Sequence, residues 1–200
     1  MKAKQFILLA VLSFLAVTAV AQKTNPDGVL INGVVWATCN VAAPGTFAAK
    51  PEDPGMFYQW NRSTAWPATG KVTGWDATIP KGDKWTKAND PSPVGWRVPT
   101  LEEIKKLLTT DKVSSEWTTR NGITGMSFTD KTTGNSLFLP AVGYRLGSDG
   151  TLGNAGSSGY YWSSTQLGSD NAYILYFSSG SADWYFDNRN NGFSVRSVAE

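Results

Sequence analysis

The sequence predicts an α+β fold: one helix and long irregular loops set against a mainly antiparallel sheet of short strands. Three observations carry this. A capped helix signal stands alone in mid-chain. A stretch dense in Pro, Gly and Trp precedes it. A succession of short apolar segments broken by turn residues follows it. The 200 residues suffice for one domain with a sizeable core.

The elements run as follows. Lys2 and Lys4 open an N-terminal segment with an apolar run over 6–17, and Ala19-Val20-Ala21 ends it with small residues where a signal peptidase reads. Residues 1–21 are expected to be a signal peptide cleaved before Gln22, and 22–28 a linker, leaving 29–200 as the folded domain. The apolar run is too short to span a bilayer comfortably, and no later segment is apolar enough to do so. The chain is therefore expected to be exported, extracellular, at the cell surface or in the periplasm, with no membrane span after signal removal.

Val29-Leu30-Ile31 and Val34-Val35-Trp36 flank Asn32-Gly33, the pattern of a strand pair around a tight turn or of one bent strand. Residues 43–93 show little periodicity, and Trp60, Trp66, Trp75 and Trp85 are expected to pin them as irregular structure. A second short helix is expected near 57–63. Pro99, a capping Thr100 and Glu103 three residues on form a capping box. Behind it Leu101, Ile104, Leu107 and Leu108 make a buried stripe. Strands are expected at 136–145, 160–164, 172–178, 182–187 and 193–198.

Composition excludes several kinds of chemistry. There are 18 basic and 16 acidic residues, and loss of Lys2 and Lys4 with the leader brings the two into balance. No nucleic-acid partner is expected from so even and scattered a distribution. With no histidine, Ser-His-Asp triads, Cys-His pairs and His-based zinc sites are excluded. The single Cys39 can make no internal disulfide and is expected to be buried. Glu102 and Glu103 sit at a helix start, where they favour its dipole, and do not resemble a glycosidase pair. No enzyme activity, cofactor or metal is expected. Asn61-Arg62-Ser63 matches a glycosylation sequon, a pattern short enough to recur by chance.

The segment 167–191 is rich in Tyr, Phe, Ser, Gly, Asp and Asn and contains no Lys, Glu, Gln or Met. Aromatic rings among small hydrogen-bonding residues are the composition of a binding face. Strand alternation divides it: Tyr173, Leu175, Phe177 and Trp184 are expected in the core, and Ile174, Tyr176, Ser178, Asp183, Tyr185 and Asp187 on display. Phe186 is expected to break the alternation and join the display set. With the flanking Leu167, Ser169, Asp170, Ser181, Asn188 and Asn190, these form the expected ligand site.

Four blocks together carry a family resemblance. They are Gly33-Val34-Val35-Trp36-Ala37-Thr38-Cys39-Asn40; Ala43-Pro44-Gly45-Thr46-Phe47 with Pro51-Glu52-Asp53-Pro54-Gly55; Gly95-Trp96-Arg97-Val98-Pro99-Thr100; and 159–198, with Gly159-Tyr160-Tyr161-Trp162-Ser163-Ser164-Thr165 and Gly192-Phe193-Ser194-Val195-Arg196. Over 29–199 the chain resembles the major paralogous domain described from Fibrobacter and common in Bacteroides-type bacteria. The resemblance implies a C-type-lectin-like fold and kinship with the variable proteins of diversity-generating retroelements, in which adenines of one C-terminal coding segment are rewritten. Many relatives carry Cys where this chain has Ser92 and Ser197, so that family disulfide is absent here.

Adenine rewriting of an Asn codon cannot reach Lys, Glu, Gln, Met or Trp, and in 167–191 only Trp184 lies outside the reachable set. Many lectins of the implied fold use calcium, but their Glu-Pro-Asn or Gln-Pro-Asp loop and Trp-Asn-Asp run are absent, so no calcium is expected. Formylglycine-generating enzymes share the broader fold but depend on paired cysteines. The expected function is a secreted or cell-surface protein binding an unknown protein or glycan. The alternative is a structural or adhesive module of a bacterial envelope assembly.

Overall fold

The computed structural model describes residues 28–200. The expected signal peptide and cleavage site, and all of the linker but Gly28, lie outside them. The first hairpin joins β1 (Val29–Ile31) to β2 (Val34–Trp36). Its turn residues Asn32 and Gly33 both have positive φ, 45° and 78°, the conformation a two-residue hairpin loop requires. Next come β3 (Met56–Gln59), β4 (Trp66–Pro67), a 3-10 turn at Lys87–Asn89 and β5 (Trp96–Arg97). Helix α1 (Leu101–Leu107) has its capping box formed, with Thr100 Oγ1 accepting from the Glu103 amide and Glu103 accepting from the Thr100 amide. It buries Leu101, Ile104 and Leu107.

The rest is β: β6 (Val113–Arg120), β7 (Ile123–Asp130), β8 (Ser136–Pro140), β9 (Tyr144–Arg145), β10 (Leu152–Gly153), β11 (Ser158–Leu167), β12 (Asn171–Ser178), β13 (Ser181–Asn188), β14 (Gly192–Ser194) and β15 (Val198–Ala199).

The α+β, C-type-lectin-like expectation is therefore corrected. The described residues are mostly β, 42% strand against 6% helix, in several antiparallel sheets with one α-helix of seven residues. Two regions account for much of the difference. Residues 57–63 begin as strand β3 rather than a helix, because Phe57, Tyr58 and Gln59 are all buried in a sheet interior. The β6–β7 hairpin was not expected at all, because β6 is largely polar and exposed and shows no apolar alternation. Its turn, Asn121-Gly122 with φ of 49° and 82°, was the available signal.

Three sheets organise the described residues. One runs β1-β2-β15-β5, a second β6-β7-β8, and the largest β10-β9-β14-β11-β12-β13, with β3 and β4 attached through β14. Strands β11 and β12 divide the core in two. On one face Tyr161, Leu175 and Phe177 pack with Ile104 and Leu107 of α1, Met126 and Phe128 of β7, and Leu137 and Leu139 of β8. On the other, Trp162, Ala172 and Ile174 pack with Tyr58, Trp60, Phe193 and Val195. Each fully buried Leu, Ile, Met, Phe or Val among these contributes about 1.5–3 kcal/mol.

The last strand is fastened to early parts of the described region. Strand β15 pairs with both β2 and β5. The Ser92 and Ser197 hydroxyls share a hydrogen bond of 2.7 Å. Cys39 is buried. Among the described residues no helix is long and apolar enough to cross a membrane.

Candidate functional site

The register of β11, β12 and β13 builds the site. Tyr160 lies directly opposite Tyr176, Tyr176 opposite Asp183, and Ile174 opposite Tyr185. Facing side chains in adjacent strands interact, and aromatic rings also reach diagonal neighbours. The result is a row of rings across the sheet. Tyr144 and Tyr160 have centroids 4.9 Å apart, Tyr160 and Tyr176 5.1 Å, and Tyr176 and Tyr185 5.7 Å at 89°. Tyr160 stacks on the buried Phe193 at 5.3 Å, and its hydroxyl accepts a hydrogen bond from Asn154 Nδ2 at 2.8 Å. The row is thus anchored in the core at one end and exposed at the other, where Tyr185 is 53% accessible.

Here the surface opens into a cleft of about 360 Å³ lined by Tyr160, Ile174, Tyr176, Tyr185, Phe186 and Asp187. That volume lies at the small end of ligand sites. Ile174 is buried among its lining residues, Phe186 is exposed, and Asp187 is the one charged group. Burial raises the Asp187 carboxyl above its usual range, outweighing hydrogen bonds from the Asn188 amide and the Asn191 side chain. Both of those bonds, 2.7 and 2.8 Å, reach the same oxygen, Oδ1.

Arg189 stiffens the neighbouring turns. Its guanidinium is fully buried, lies 4.2 Å from the centre of the Trp60 ring, and donates to the carbonyls of Asn171, Gly168 and Gly82 and to Gln166 Oε1. It ties the β11–β12 turn to the 60–93 region. Asn191, also buried, accepts from the Gly147 amide at 2.6 Å while donating to Asp187.

The expected site residues divide into groups. The cleft gathers Ile174, Tyr176, Tyr185, Phe186 and Asp187, and Asp183 belongs to the same face of β13 by alternation. Leu167, Ser169, Asp170 and Asn188 cluster at one end of the β12–β13 hairpin, and Ser178 and Ser181 pair at the other. These do not reach the cleft.

Four expectations are corrected. Ile174 is 2% exposed, because the face of β12 assigned to display packs against a second core. Trp184, expected in the core, lies on the expected face but is 41% exposed, because β13 is the last strand of its sheet. It packs edge-on against Tyr173 at 5.7 Å and beneath Lys105 of α1 at 5.4 Å. Tyr173, assigned to the core with it, is only partly buried. Asn190 is a brace: its side chain donates to the Ala77 and Gly147 carbonyls.

Tyr160 was missed. The Gly-Tyr-Tyr-Trp block places Tyr160 and Tyr161 on opposite faces, so one of them had to face away from Leu175 and Phe177. The sequon residue Asn61 is 7% exposed and bonded to Lys81 and Thr86, so its amide is unsuited to carry a glycan.

Larger hollows lie elsewhere among the described residues. One, of about 430 Å³, has Arg145 in its wall, donating to the carbonyls of Pro67, Thr69, Gly70 and Gly150. Another, of about 490 Å³, includes Arg62, which is paired with Asp76 at 2.8 Å. In both, the arginine is engaged in holding loops.

A family described as a Domain of unknown function (DUF8237) matches residues 109–198. The matched region contains β6 to β14 and therefore every residue lining the cleft. It excludes β1 to β5 and α1, with which its last strands pair and pack. No curated protein and no solved structure matches the chain.

Proposed function

We propose that this chain is an exported binding protein, without catalytic activity, that recognises its ligand on the face of β11, β12 and β13. The observation that carries the reading is the row Tyr144-Tyr160-Tyr176-Tyr185, anchored on Phe193 and opening into a cleft beside Asp187. Rings held by packing lose little entropy on binding and make effective anchors. The resemblance to the major paralogous domain and the restricted composition of 167–191 support a further element, that this face is open to adenine-directed diversification. A near-copy of the final coding segment, rich in AAC codons and beside a reverse-transcriptase gene, is the expected genomic sign. Its absence removes diversification and leaves binding standing.

For binding, the wild-type protein and the Tyr176→Leu and Tyr185→Ala variants are compared on glycan and surface-protein arrays. Specific signals lost in both folded variants support the site. Signals that persist unchanged in both place recognition elsewhere.

A second reading, a structural or adhesive envelope module, draws on one observation. Edge strand β13 exposes three successive aromatics, Trp184, Tyr185 and Phe186, directed to both faces. Exposed aromatic edges suit a fixed partner. Loss of the interaction in Trp184→Ser but not in Tyr185→Ala favours that reading.

A further inference from the structure

We infer that the cleft accepts a trimethylammonium group of the choline type, an inference that rests on the cleft being the ligand site. Its walls are the rings of Tyr160, Tyr176 and Tyr185, with adjacent centroids 5.1 and 5.7 Å apart, and Phe186 at the rim. A cation within about 6 Å of several such rings is attracted by each of their negative π-faces.

Charge points the same way. The only charged lining residue is the carboxylate of Asp187, and Asp183 stands on the same face of β13 two positions away. The nearby cations are turned elsewhere. Arg189 is buried against carbonyls and Trp60, and Lys105 lies over Trp184 on the opposite face of the strand. An anionic ligand would find no cationic side chain among the lining residues.

The kind of cation follows from the remaining lining. A hard metal ion requires several convergent oxygens. The lining offers one carboxylate, whose Oδ1 already accepts two hydrogen bonds, and phenol hydroxyls. The buried Ile174 contributes only an apolar surface. A cation clothed in methyl groups satisfies both halves of the site, the apolar surface and the aromatic and acidic walls.

The test is calorimetric titration of the protein with choline, with its neutral carbon isostere 3,3-dimethylbutan-1-ol, with glycine betaine, and with a panel of methyl glycosides. Choline is expected to bind at least about tenfold more tightly than the isostere, because shape and apolar contact are shared and only charge differs. Betaine, whose carboxylate meets Asp183 and Asp187, is expected to bind more weakly than choline.

Asp187→Asn is expected to lower choline affinity about tenfold, Tyr176→Phe to retain it within about threefold, and Tyr176→Leu to abolish it in a protein of unchanged circular dichroism. Equal binding of choline and the isostere, or binding of choline unaffected by Asp187→Asn and Tyr176→Leu, overturns the inference. Binding of a glycoside but not choline, lost in Tyr185→Ala, overturns the cation assignment and leaves the cleft as the ligand site. Absence of all binding, together with array signals that survive Tyr185→Ala, overturns both.

Discussion

Strands β12 and β13 are neighbours of equal length, paired over all eight residues, and each carries an unbroken run of aromatic or aliphatic residues, 173–177 in β12 and 184–186 in β13. Yet Ala172, Ile174, Leu175 and Phe177 of β12 are buried, whereas β13 has no fully buried residue. The difference lies in position. Strand β12 is flanked by β11 and β13 and covered on both faces, one by α1 and the β6-β7-β8 sheet, the other by Trp60, Phe193 and Val195. Strand β13 ends the sheet and receives only partial cover, from the first core at Ala182 and from Lys105 of α1 at Trp184. Alternation decides which face a side chain takes, and place in the sheet decides whether that face is covered. The cleft forms at this boundary, between a buried strand and an exposed one.

The sharpest way to break the comparison is to truncate aromatics on the two strands. Phe177 is fully buried, with ring centroids of Tyr161, Phe128 and Trp117 at 5.8, 6.3 and 6.4 Å. Phe177→Ala is expected to destabilise by about 3–5 kcal/mol in urea unfolding. A comparable loss for Phe186→Ala would contradict the boundary.

Next in size is Gly159→Ala. A methyl there would come within 2.1 Å of the Phe177 ring, so a cost of about 1–3 kcal/mol is expected from the forced shift. Trp184→Ala removes a half-covered indole beside Tyr173 and Lys105, and about 1 kcal/mol is expected. Tyr185→Ala is expected to change stability by less than about 0.5 kcal/mol while removing a wall of the cleft.

The smallest effect is electrostatic. Burial raises Asp187, so its ionised form is disfavoured in the folded state. Its folded-state value exceeds the unfolded value of about 3.9, so its ionisation opposes folding at neutral pH. That penalty is relieved as pH falls through the folded value toward the unfolded one. The denaturation midpoint of Asp187→Asn relative to wild type should therefore be highest near neutrality and shrink on acidification. Glu103 has the opposite sign. Burial pushes it up, but hydrogen bonds from Arg97 and Thr100 outweigh that and hold it below its usual range. The stability it contributes is lost as pH falls through that depressed value, and the Asp187→Asn difference removes this common background.

Much of the fold was legible where a local rule determines the structure. The Asn32-Gly33 turn and the Thr100–Glu103 capping box follow from adjacent residues alone, and both are present. What failed was non-local. Nothing near Ile174 reveals that Phe193 and Trp162 cover it, and nothing near Trp184 reveals that its strand lies at a sheet edge. The α+β expectation failed for the same reason. A clear seven-residue helix outweighed β6, whose polar residues give little periodic signal, and β7, where only Met126 and Phe128 alternate with polar neighbours. Of the site, Tyr176, Tyr185 and Asp187 were readable from composition and alternation. Tyr160 lies outside 167–191 and joins the site only through its register with Tyr176.

The central claim is that ligand sits among the tyrosines of the outer strands. All seven tyrosines lie among the described residues: Tyr58, Tyr144, Tyr160, Tyr161, Tyr173, Tyr176 and Tyr185. Carbon-13 labelling of their rings lets one NMR titration report on every one, with choline and with any array ligand as the titrants. Ring resonances of Tyr160, Tyr176 and Tyr185 are expected to shift with ligand, while those of the buried Tyr58 and Tyr161 stay fixed. Bound ligand that leaves Tyr160, Tyr176 and Tyr185 unmoved contradicts the account.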